Sequence, residues 1–240
     1  MDYGIQLYSV RDLAKENFEQ AVAKMAELGY KKMEPAGFFG LSAEEVNAIM
    51  KKYDVEIGST HSSFDDLINN YDETVAFHKA IGNKLYIIPY YNFKNQEKLD
   101  YFVEKANELY DKLAAEGITL AFHNHHTEFL PNKDGGQPFD QLLYRTKLKF
   151  QVDIYWAYVG MKDPIALLEK IQDRLVSLHI KDGDEVGNGY PLGMGTAPVA
   201  DCVAWGKEHG LPMVVESETQ TPDGPTEAKI CIEYLKNLEK

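Results

Sequence analysis

The sequence predicts an α/β fold, a single (β/α)₈ TIM barrel that spans residues 1–240. Short runs of apolar, β-branched and aromatic residues alternate with longer amphipathic stretches along the chain, as expected for parallel strands connected by helices. We count eight such strand–helix pairs, the number that closes a TIM barrel. An open doubly wound sheet is the alternative, but no Gly-x-Gly-x-x-Gly motif follows the first strand, which weakens a dinucleotide-binding interpretation.

The boundaries of the predicted elements follow from turn and capping residues. The helix Phe18–Leu28 is predicted to end at Gly29, and Ser42 with Glu45 forms a capping box that opens the next helix. The other predicted helices are Asp72–Ile81, Gln96–Glu116, Phe139–Arg145, Pro164–Arg174, Val199–Glu208 and Thr226–Leu238. The predicted strands are Gly4–Val10, Lys32–Gly37, Glu56–Ser62, Leu85–Tyr90, Thr119–His125, Phe150–Tyr155, Val176–Asp182 and Met213–Glu218.

Length and charge limit the classes of partner. The 240 residues, 44% of them hydrophobic, are enough for one sizeable core. A net charge of −13 repels phosphate backbones and anionic lipid, so we expect neither nucleic acid nor a membrane as a partner. The chain has no run of about 18 apolar residues and no signal-peptide pattern at its start. Because Cys202 and Cys231 are too few for a disulfide framework, we expect a cytoplasmic protein with reduced thiols.

Titratable side chains recur at the C-terminal ends of the predicted strands, where TIM barrels place their active sites. Asp153, His179 and Glu216 come from three consecutive strands, and His123 ends the strand before them. A mixture of carboxylate and imidazole ligands suits Mn²⁺, Zn²⁺, Co²⁺ or Mg²⁺. The sequence therefore predicts a site for one divalent metal ion, with His123 as the fourth ligand.

Further polar residues are candidates for catalysis. Strand alternation places His125 on the same face as His123 and Lys181 on the same face as His179. We expect His125 to contact the substrate or donate a proton, and Lys181 to bind a substrate oxygen or form a salt bridge. Glu128 is a further candidate for proton transfer, and a solvated loop carboxylate is its alternative.

Substrate contacts are predicted around the same strand ends, with side-chain packing as the alternative. The candidate contacts are Glu34, His61, Tyr8 and Trp156, whereas His78 is expected to be a surface residue of a helix. Specificity is expected to reside in the loops Phe38–Leu41, Phe64–Asn70 and Gly187–Gly195, the last of them as a flexible loop over the site.

Six short segments, in their order and spacing, resemble one known family. They are Gly4–Arg11, His123–Phe129, Val152–Trp156, Leu178–Asp182, Leu192–Gly195 and Val214–Glu218. The chain resembles the xylose isomerase-like TIM barrels, often called sugar phosphate isomerase/epimerases, and within them a subgroup with a His-Asn-His segment. The resemblance covers nearly the whole chain and implies that Asp153, His179 and Glu216 are metal ligands.

The resemblance also implies an activity. The family's epimerases place a glutamate where this chain has His123, so their two-carboxylate mechanism does not transfer intact. The expected function is metal-dependent isomerisation or epimerisation of a sugar or sugar derivative by proton transfer α to a carbonyl, with Glu216 as the base. A small-molecule carbohydrate is the expected partner, and a homodimer is one expectation for the assembly.

Three other functions compete with this expectation. One is a metal-dependent lyase or dehydratase acting on a keto-sugar or 3-keto-glycoside, because the first proton transfer is shared. Another is a catalytically degraded sugar-binding barrel. Phosphodiester cleavage, as in the related endonuclease IV, needs a multi-metal cluster and a basic DNA-binding face, and the net charge of −13 argues against it.

Overall fold

A nearly closed parallel sheet, surrounded by helices, forms the frame of the computed structural model, which describes residues 2–161 and 163–240. The predicted TIM barrel fold is confirmed. Nine strands form the main sheet, and the short strands β9 and β10 form a separate pair. The strands are β1 (Gly4–Gln6), β2 (Lys32–Glu34), β3 (Glu56–Ile57), β4 (Thr60–His61), β5 (Leu85–Ile88), β6 (Thr119–His123), β7 (Lys149–Asp153), β8 (Leu175–Ile180), β9 (Asp182–Gly183), β10 (Gly189–Tyr190) and β11 (Met213–Val215).

The barrel closes through its third strand. The sheet order is β3-β2-β1-β11-β8-β7-β6-β5-β4, and every neighbouring pair is parallel. Both ends of this order belong to residues 56–61, because β3 pairs with β2 whereas β4 pairs with β5. The amide of His61 also donates to Pro35 O at 2.9 Å. This one stretch therefore joins the two edges of the sheet.

Eleven helices accompany the strands in the described part of the chain. None of them is both long and apolar enough to span a membrane. The helices are α1 (Arg11–Glu16), α2 (Phe18–Leu28), α3 (Ala43–Lys52), α4 (Phe64–Asn69), α5 (Tyr71–Ala80), α6 (Gln96–Ala115), α7 (Pro138–Arg145), α8 (Ile154–Met161), α9 (Pro164–Ile171), α10 (Val199–Glu208) and α11 (Gly224–Asn237).

All eight predicted strands are present, but each ends earlier than predicted. The clearest error is at Tyr155, which was predicted to end a strand and instead lies in α8. The cause is Asp153, whose Oδ1 accepts a hydrogen bond from the Trp156 amide at 2.8 Å. A side-chain acceptor of this kind satisfies a free N–H at a helix start, so the helix begins directly after β7.

The predicted helices are confirmed more closely than the strands. The helix Phe18–Leu28 has the predicted bounds, and the capping box of Ser42 and Glu45 is formed. The stretch Phe64–Asn70, predicted as a loop, contains α4 because the Ser63 hydroxyl accepts from the amides of Asp65 and Asp66. Ser63 is thus an N-cap that the prediction overlooked.

The interior of the barrel contains a group of buried polar residues, whereas the apolar core lies between the strands and the helices. The side chains of Gln6, Ser59 and Gln151 are buried and donate hydrogen bonds to the buried Glu34 carboxylate. Such groups are stable inside a protein only when they are hydrogen-bonded. The barrel centre is therefore held by a polar network, which reaches up to the strand ends.

Candidate metal centre and cavity

Four buried side chains converge at the carboxyl ends of neighbouring strands. His123 ends β6, Asp153 ends β7, His179 lies in β8 and Glu216 directly follows β11. One potential ligand atom from each lies within 4.8 Å of all the others. These are the four residues that the sequence predicts as metal ligands, and the fold brings them together.

Two side-chain atoms of this group have no hydrogen-bond partner in the described part of the chain, and both are of types that bind metal ions. Asp153 Oδ2 and His123 Nδ1 are buried and have no hydrogen-bond partner among the described residues. An unsatisfied buried polar atom costs about 1–3 kcal/mol, and a cation bound between them would remove this cost. The donor set of two imidazoles and two carboxylates fits Mn²⁺, Zn²⁺, Co²⁺ or Mg²⁺, so these four residues would hold the ion.

The charges of the centre also favour a cation. Burial raises the pKa of Asp153 to about 7, although Lys181 opposes the shift. Burial acts to raise the pKa of Glu216 as well, but Lys181 and His179 hold it well below its usual range. Burial acts to lower the pKa of His179, yet Glu34 and Glu216 raise it to about 10. The centre thus attracts positive charge, which a divalent ion would supply.

Glu34 lies beneath the metal centre and fixes its orientation. Its Oε1 accepts a hydrogen bond from His179 Nε2 at 2.6 Å and lies 3.2 Å from His61 Nε2. The remaining donors to its carboxylate are Gln6, Ser59 and Gln151. Burial acts to raise the pKa of Glu34, but His61 and His179 lower it to about 2. Because Nε2 of His179 is used in this way, Nδ1 is left for the centre.

A cavity of about 920 Å³ opens beside the metal centre. The predicted site residues in its wall are Tyr8, His61, His123, His125 and Glu216. The predicted substrate contact of Glu34 is corrected by its position, because its carboxylate is enclosed by protein donors and does not line this cavity. Glu128, Trp156 and Lys181 are also absent from the wall.

Lys181 is buried beside the residues that line the cavity but does not line it itself. Its Nζ lies 2.6 Å from Glu218 Oε1 and 3.6 Å from Glu216 Oε2, and 4.7 Å from the centre of the Trp156 ring. Trp156 therefore covers the lysine, and the cavity does not support its predicted role as a substrate contact. Glu218 itself lines the cavity. Strand alternation with Glu216 would have identified it as a site residue.

His125 lines the cavity, and its imidazole is uncharged at neutral pH. Burial lowers its pKa to about 4, and its Nδ1 has no hydrogen-bond partner among residues 2–161 and 163–240. The ring of Tyr90 lies 6.1 Å from the His125 ring, and Tyr90 also lines the cavity. His125 therefore presents an imidazole to whatever occupies the cavity.

Comparison with known proteins identifies the family. Residues 22–238 match the family model described as Xylose isomerase-like TIM barrel. The chain belongs to this family. Among curated relatives, inosose dehydratase from Mesomycoplasma hyopneumoniae is 25% identical over 192 residues, which cover 69% of this chain and 62% of that protein. The chain thus matches less than two thirds of the relative's length.

Solved structures share the fold of this xylose isomerase-like barrel. A sugar phosphate isomerase/epimerase from Parabacteroides distasonis superposes with a TM-score of 0.84 at 24% identity, covering 98% of this chain and 97% of that chain. D-allulose 3-epimerase from Methylomonas sp. superposes with a TM-score of 0.73 at 17% identity, covering 99% of this chain and 98% of that chain.

Glu128 stabilises a turn in this xylose isomerase-like barrel. Its Oε2 accepts a hydrogen bond from the amide of His125 at 2.7 Å, and its Oε1 accepts one from the Thr127 hydroxyl at 3.2 Å. The side chain is buried away from the cavity and caps the turn His126–Phe129. The placement gives no support to the catalytic role predicted for Glu128.

Replacing Glu128 with glutamine should change how stability depends on pH. Burial raises the pKa of Glu128 to about 7, so between its unfolded value of 4.5 and pH 7 the folded state binds more protons than the unfolded state. Folding stability therefore falls as pH rises through this window. We expect the wild-type chain to lose up to roughly 3 kcal/mol relative to Glu128→Gln between pH 5 and pH 8.

Urea unfolding at pH 5 and pH 8 measures this difference. The two proteins share every other titratable group, so subtracting their free energies of unfolding isolates Glu128. Parallel stability curves across the pH range would contradict the assignment.

Two other predictions about the surroundings of the site are wrong. His78, expected on the surface, is buried in α5, where its ring lies 4.7 Å from that of Tyr86, and it also lines the cavity.

The stretch Gly187–Gly195, expected to be a flexible loop over the site, does not line the cavity. It is held in place because buried Asp182 accepts hydrogen bonds from the amides of Gly193 and Gly195. A Cβ at Gly195 would clash with Asp182 Oδ1, so this close approach requires glycine.

Proposed function

We propose that this chain is a metal-dependent isomerase or epimerase that transfers a proton α to the carbonyl of a sugar or sugar derivative. The observation that carries the proposal is the group of His123, Asp153, His179 and Glu216, of which His123 and Glu216 line a cavity large enough for a sugar. A bound divalent ion would polarise the carbonyl as a Lewis acid. The family membership and the epimerase names among similar structures support the same class of reaction.

The chain's own residues supply the proton-handling groups. Glu216 and Glu218 both line the cavity, and Glu218 lies outside the group of metal ligands. Lys181 contacts both carboxylates and orients them. His125 reaches the same cavity from the end of β6. We assign proton removal to Glu216, and proton return to Glu218 or His125, each contributing roughly 10²–10⁴-fold.

Dehydration of a keto-sugar is the second candidate, and the inosose dehydratase relatives support it. Removal of the same α-proton begins this reaction, but loss of a β-oxygen substituent completes it. His125, which lines the cavity, would deliver the proton to the departing oxygen. In this case the proton does not return to carbon, which separates the two outcomes experimentally.

Solvent deuterium exchange tests both candidates. Protein loaded with Mn²⁺, Zn²⁺, Co²⁺ or Mg²⁺ is incubated in D₂O with ketoses and 3-keto-glycosides, and products are read by NMR. Deuterium on carbon in a sugar of unchanged formula supports an isomerase or epimerase, whereas loss of water or of an aglycone supports a lyase. If no substrate exchanges a carbon-bound proton and none loses water or an aglycone, both enzyme proposals fail and a sugar-binding barrel is favoured.

A matched pair of variants ties the exchange to the proposed base. We expect Glu216→Gln to lower the exchange rate by roughly 10²–10⁴-fold, because the amide cannot accept the proton. Glu169→Gln, at an exposed position of α9, makes the same chemical change away from the cavity and should leave the rate unchanged. Equal rates for both variants would remove Glu216 from the mechanism.

A further inference from the structure

The cavity extends well beyond the metal centre. Its volume of about 920 Å³ lies near the upper end of the roughly 300–1,000 Å³ that drug-sized ligands occupy, and a single sugar ring would leave much of it empty. The inner part is lined by His123, His125 and Glu216, and the wall continues to Asp66 on α4 and Glu73 on α5. His123 is buried, and its Nδ1 is unpartnered in the described chain. This atom belongs to the metal centre, so the inner end of the cavity is where a reacting sugar would meet the bound ion.

The outer part of the cavity, formed by α4, α5 and the residues after β2, has both apolar and polar surfaces. Phe38 and Phe77 pack edge to face with ring centres 4.8 Å apart, and both line the cavity. Asn70 and Thr74 line it as well. Aromatic surfaces beside a few amide and hydroxyl groups are typical of sites for small polyhydroxylated or aromatic groups.

The charges of the wall restrict which ligands can enter. Four carboxylates line the cavity, those of Asp66, Glu73, Glu216 and Glu218. No lysine or arginine is among the lining residues, all of which lie in the described part of the chain. Lys181, the buried cation behind the wall, is already paired with Glu218 at 2.6 Å. A metal ion bound at the inner end would offset Glu216, but no lysine or arginine in the wall offsets Asp66 and Glu73, so a phosphate or carboxylate in the outer part would meet repulsion.

We propose that this outer part is a second subsite, which accepts an uncharged unit attached to the reacting sugar and rejects anionic groups. The substrate class is then an unphosphorylated glycoside or disaccharide derivative rather than a sugar phosphate. This inference rests on the proposed function for the identity of the reacting sugar. Asp66 and Glu73 are its specificity-determining residues, because they accept hydrogen bonds from hydroxyl groups and repel anions.

The chain offers a closely matched set of variants. Asp65 precedes Asp66 in the first turn of α4, and Asp72 precedes Glu73 in the first turn of α5. All four side chains are exposed, but Asp65 and Asp72 do not line the cavity. The double variant Asp66→Lys with Glu73→Lys therefore changes the net charge and helix termini as much as Asp65→Lys with Asp72→Lys does. Only the first pair changes the cavity wall.

Binding, rather than turnover, tests the inference. Metal-loaded protein is titrated with two matched probe pairs, trehalose with trehalose 6-phosphate and glucose with glucose 6-phosphate, and followed by saturation-transfer NMR. We expect trehalose to bind more tightly than glucose, because its second ring would occupy the second subsite, and each phosphorylated probe to bind at least about tenfold more weakly than its partner at low salt. High salt should reduce this preference. The Asp66/Glu73 lysine variant should abolish it, whereas the Asp65/Asp72 variant should retain it.

Several results would overturn the inference. They are a phosphorylated probe that binds as tightly as its neutral partner, equal behaviour of the two double variants, or trehalose that binds no more tightly than glucose. The proposed function is tested separately by deuterium exchange. Neutral-probe preference without any exchange would leave the second subsite standing and refute the proposed reaction.

Discussion

Replacing Asp153 with asparagine should reduce the bound divalent metal from about one ion per chain to a small fraction of that, with complete loss of activity. The reason lies in its two oxygens. Oδ2 is one of the two unpartnered buried atoms of the ligand group in the described residues, and an amide is a far weaker ligand than a carboxylate. Oδ1 accepts the hydrogen bond of Trp156, which asparagine can also accept, so the fold should survive.

Elemental analysis after dialysis against a fixed concentration of Zn²⁺ or Mn²⁺ measures this loss. Asp163→Asn is a suitable control, because the Asp163 side chain also caps a helix, accepting from the Ala166 amide at 3.0 Å, but lies outside the ligand group. The control should retain its metal. Full occupancy in Asp153→Asn would refute the metal assignment.

Replacing Glu34 with glutamine should weaken metal binding by about 10–100-fold, the usual effect of removing a partner of a ligating histidine. The Glu34 carboxylate can only accept the hydrogen bond from His179 Nε2, at 2.6 Å, and this favours the tautomer whose Nδ1, 3.4 Å from Glu216 Oε2, would bind the metal ion. Glutamine can present its NH₂ group instead and therefore does not enforce this tautomer. It also removes a negative charge that stabilises the centre.

Competition with a chromophoric chelator gives the metal affinity of this variant. Glu56→Gln is the matched control, because Glu56 lies on the neighbouring strand β3 but is exposed and pairs with Lys32. If Glu34→Gln only destabilised the fold, its affinity at low temperature would equal that of the control. Equal affinities would therefore reduce Glu34 to a structural role.

The ligand group could be predicted from the sequence because each member ends or follows a strand. Parallel strands in a barrel bring their carboxyl ends together, so His123, Asp153, His179 and Glu216 had to be neighbours once the strands were identified. Depth along a strand is harder to predict. Glu34 points into the barrel as alternation requires, but whether it faces a cavity or lies below the ligands depends on the stagger between strands, which one sequence does not encode visibly.

Other residues were misassigned because local interactions decide their positions. Trp156 was placed at a strand end, whereas the cap provided by Asp153 starts a helix there. Glu128 lies three residues after His125, the spacing of a capping box, but histidine is not a usual first member of that motif. The spacing of His78 from Val75 by three residues places both on the buried face of α5, and this periodicity could have identified His78 as buried.

The two oxygens of Asp153 carry an evolutionary consequence. One oxygen starts α8 and the other faces the ligand group, so selection for folding alone would retain an aspartate here after catalysis was lost. His123 has no comparable second task, because its unpartnered Nδ1 is a burden to stability unless something binds it. In a descendant that had abandoned this chemistry, His123 should be replaced first. Among relatives that share the His-Asn-His segment, loss of this histidine should therefore be an earlier sign of a lost centre than loss of the aspartate.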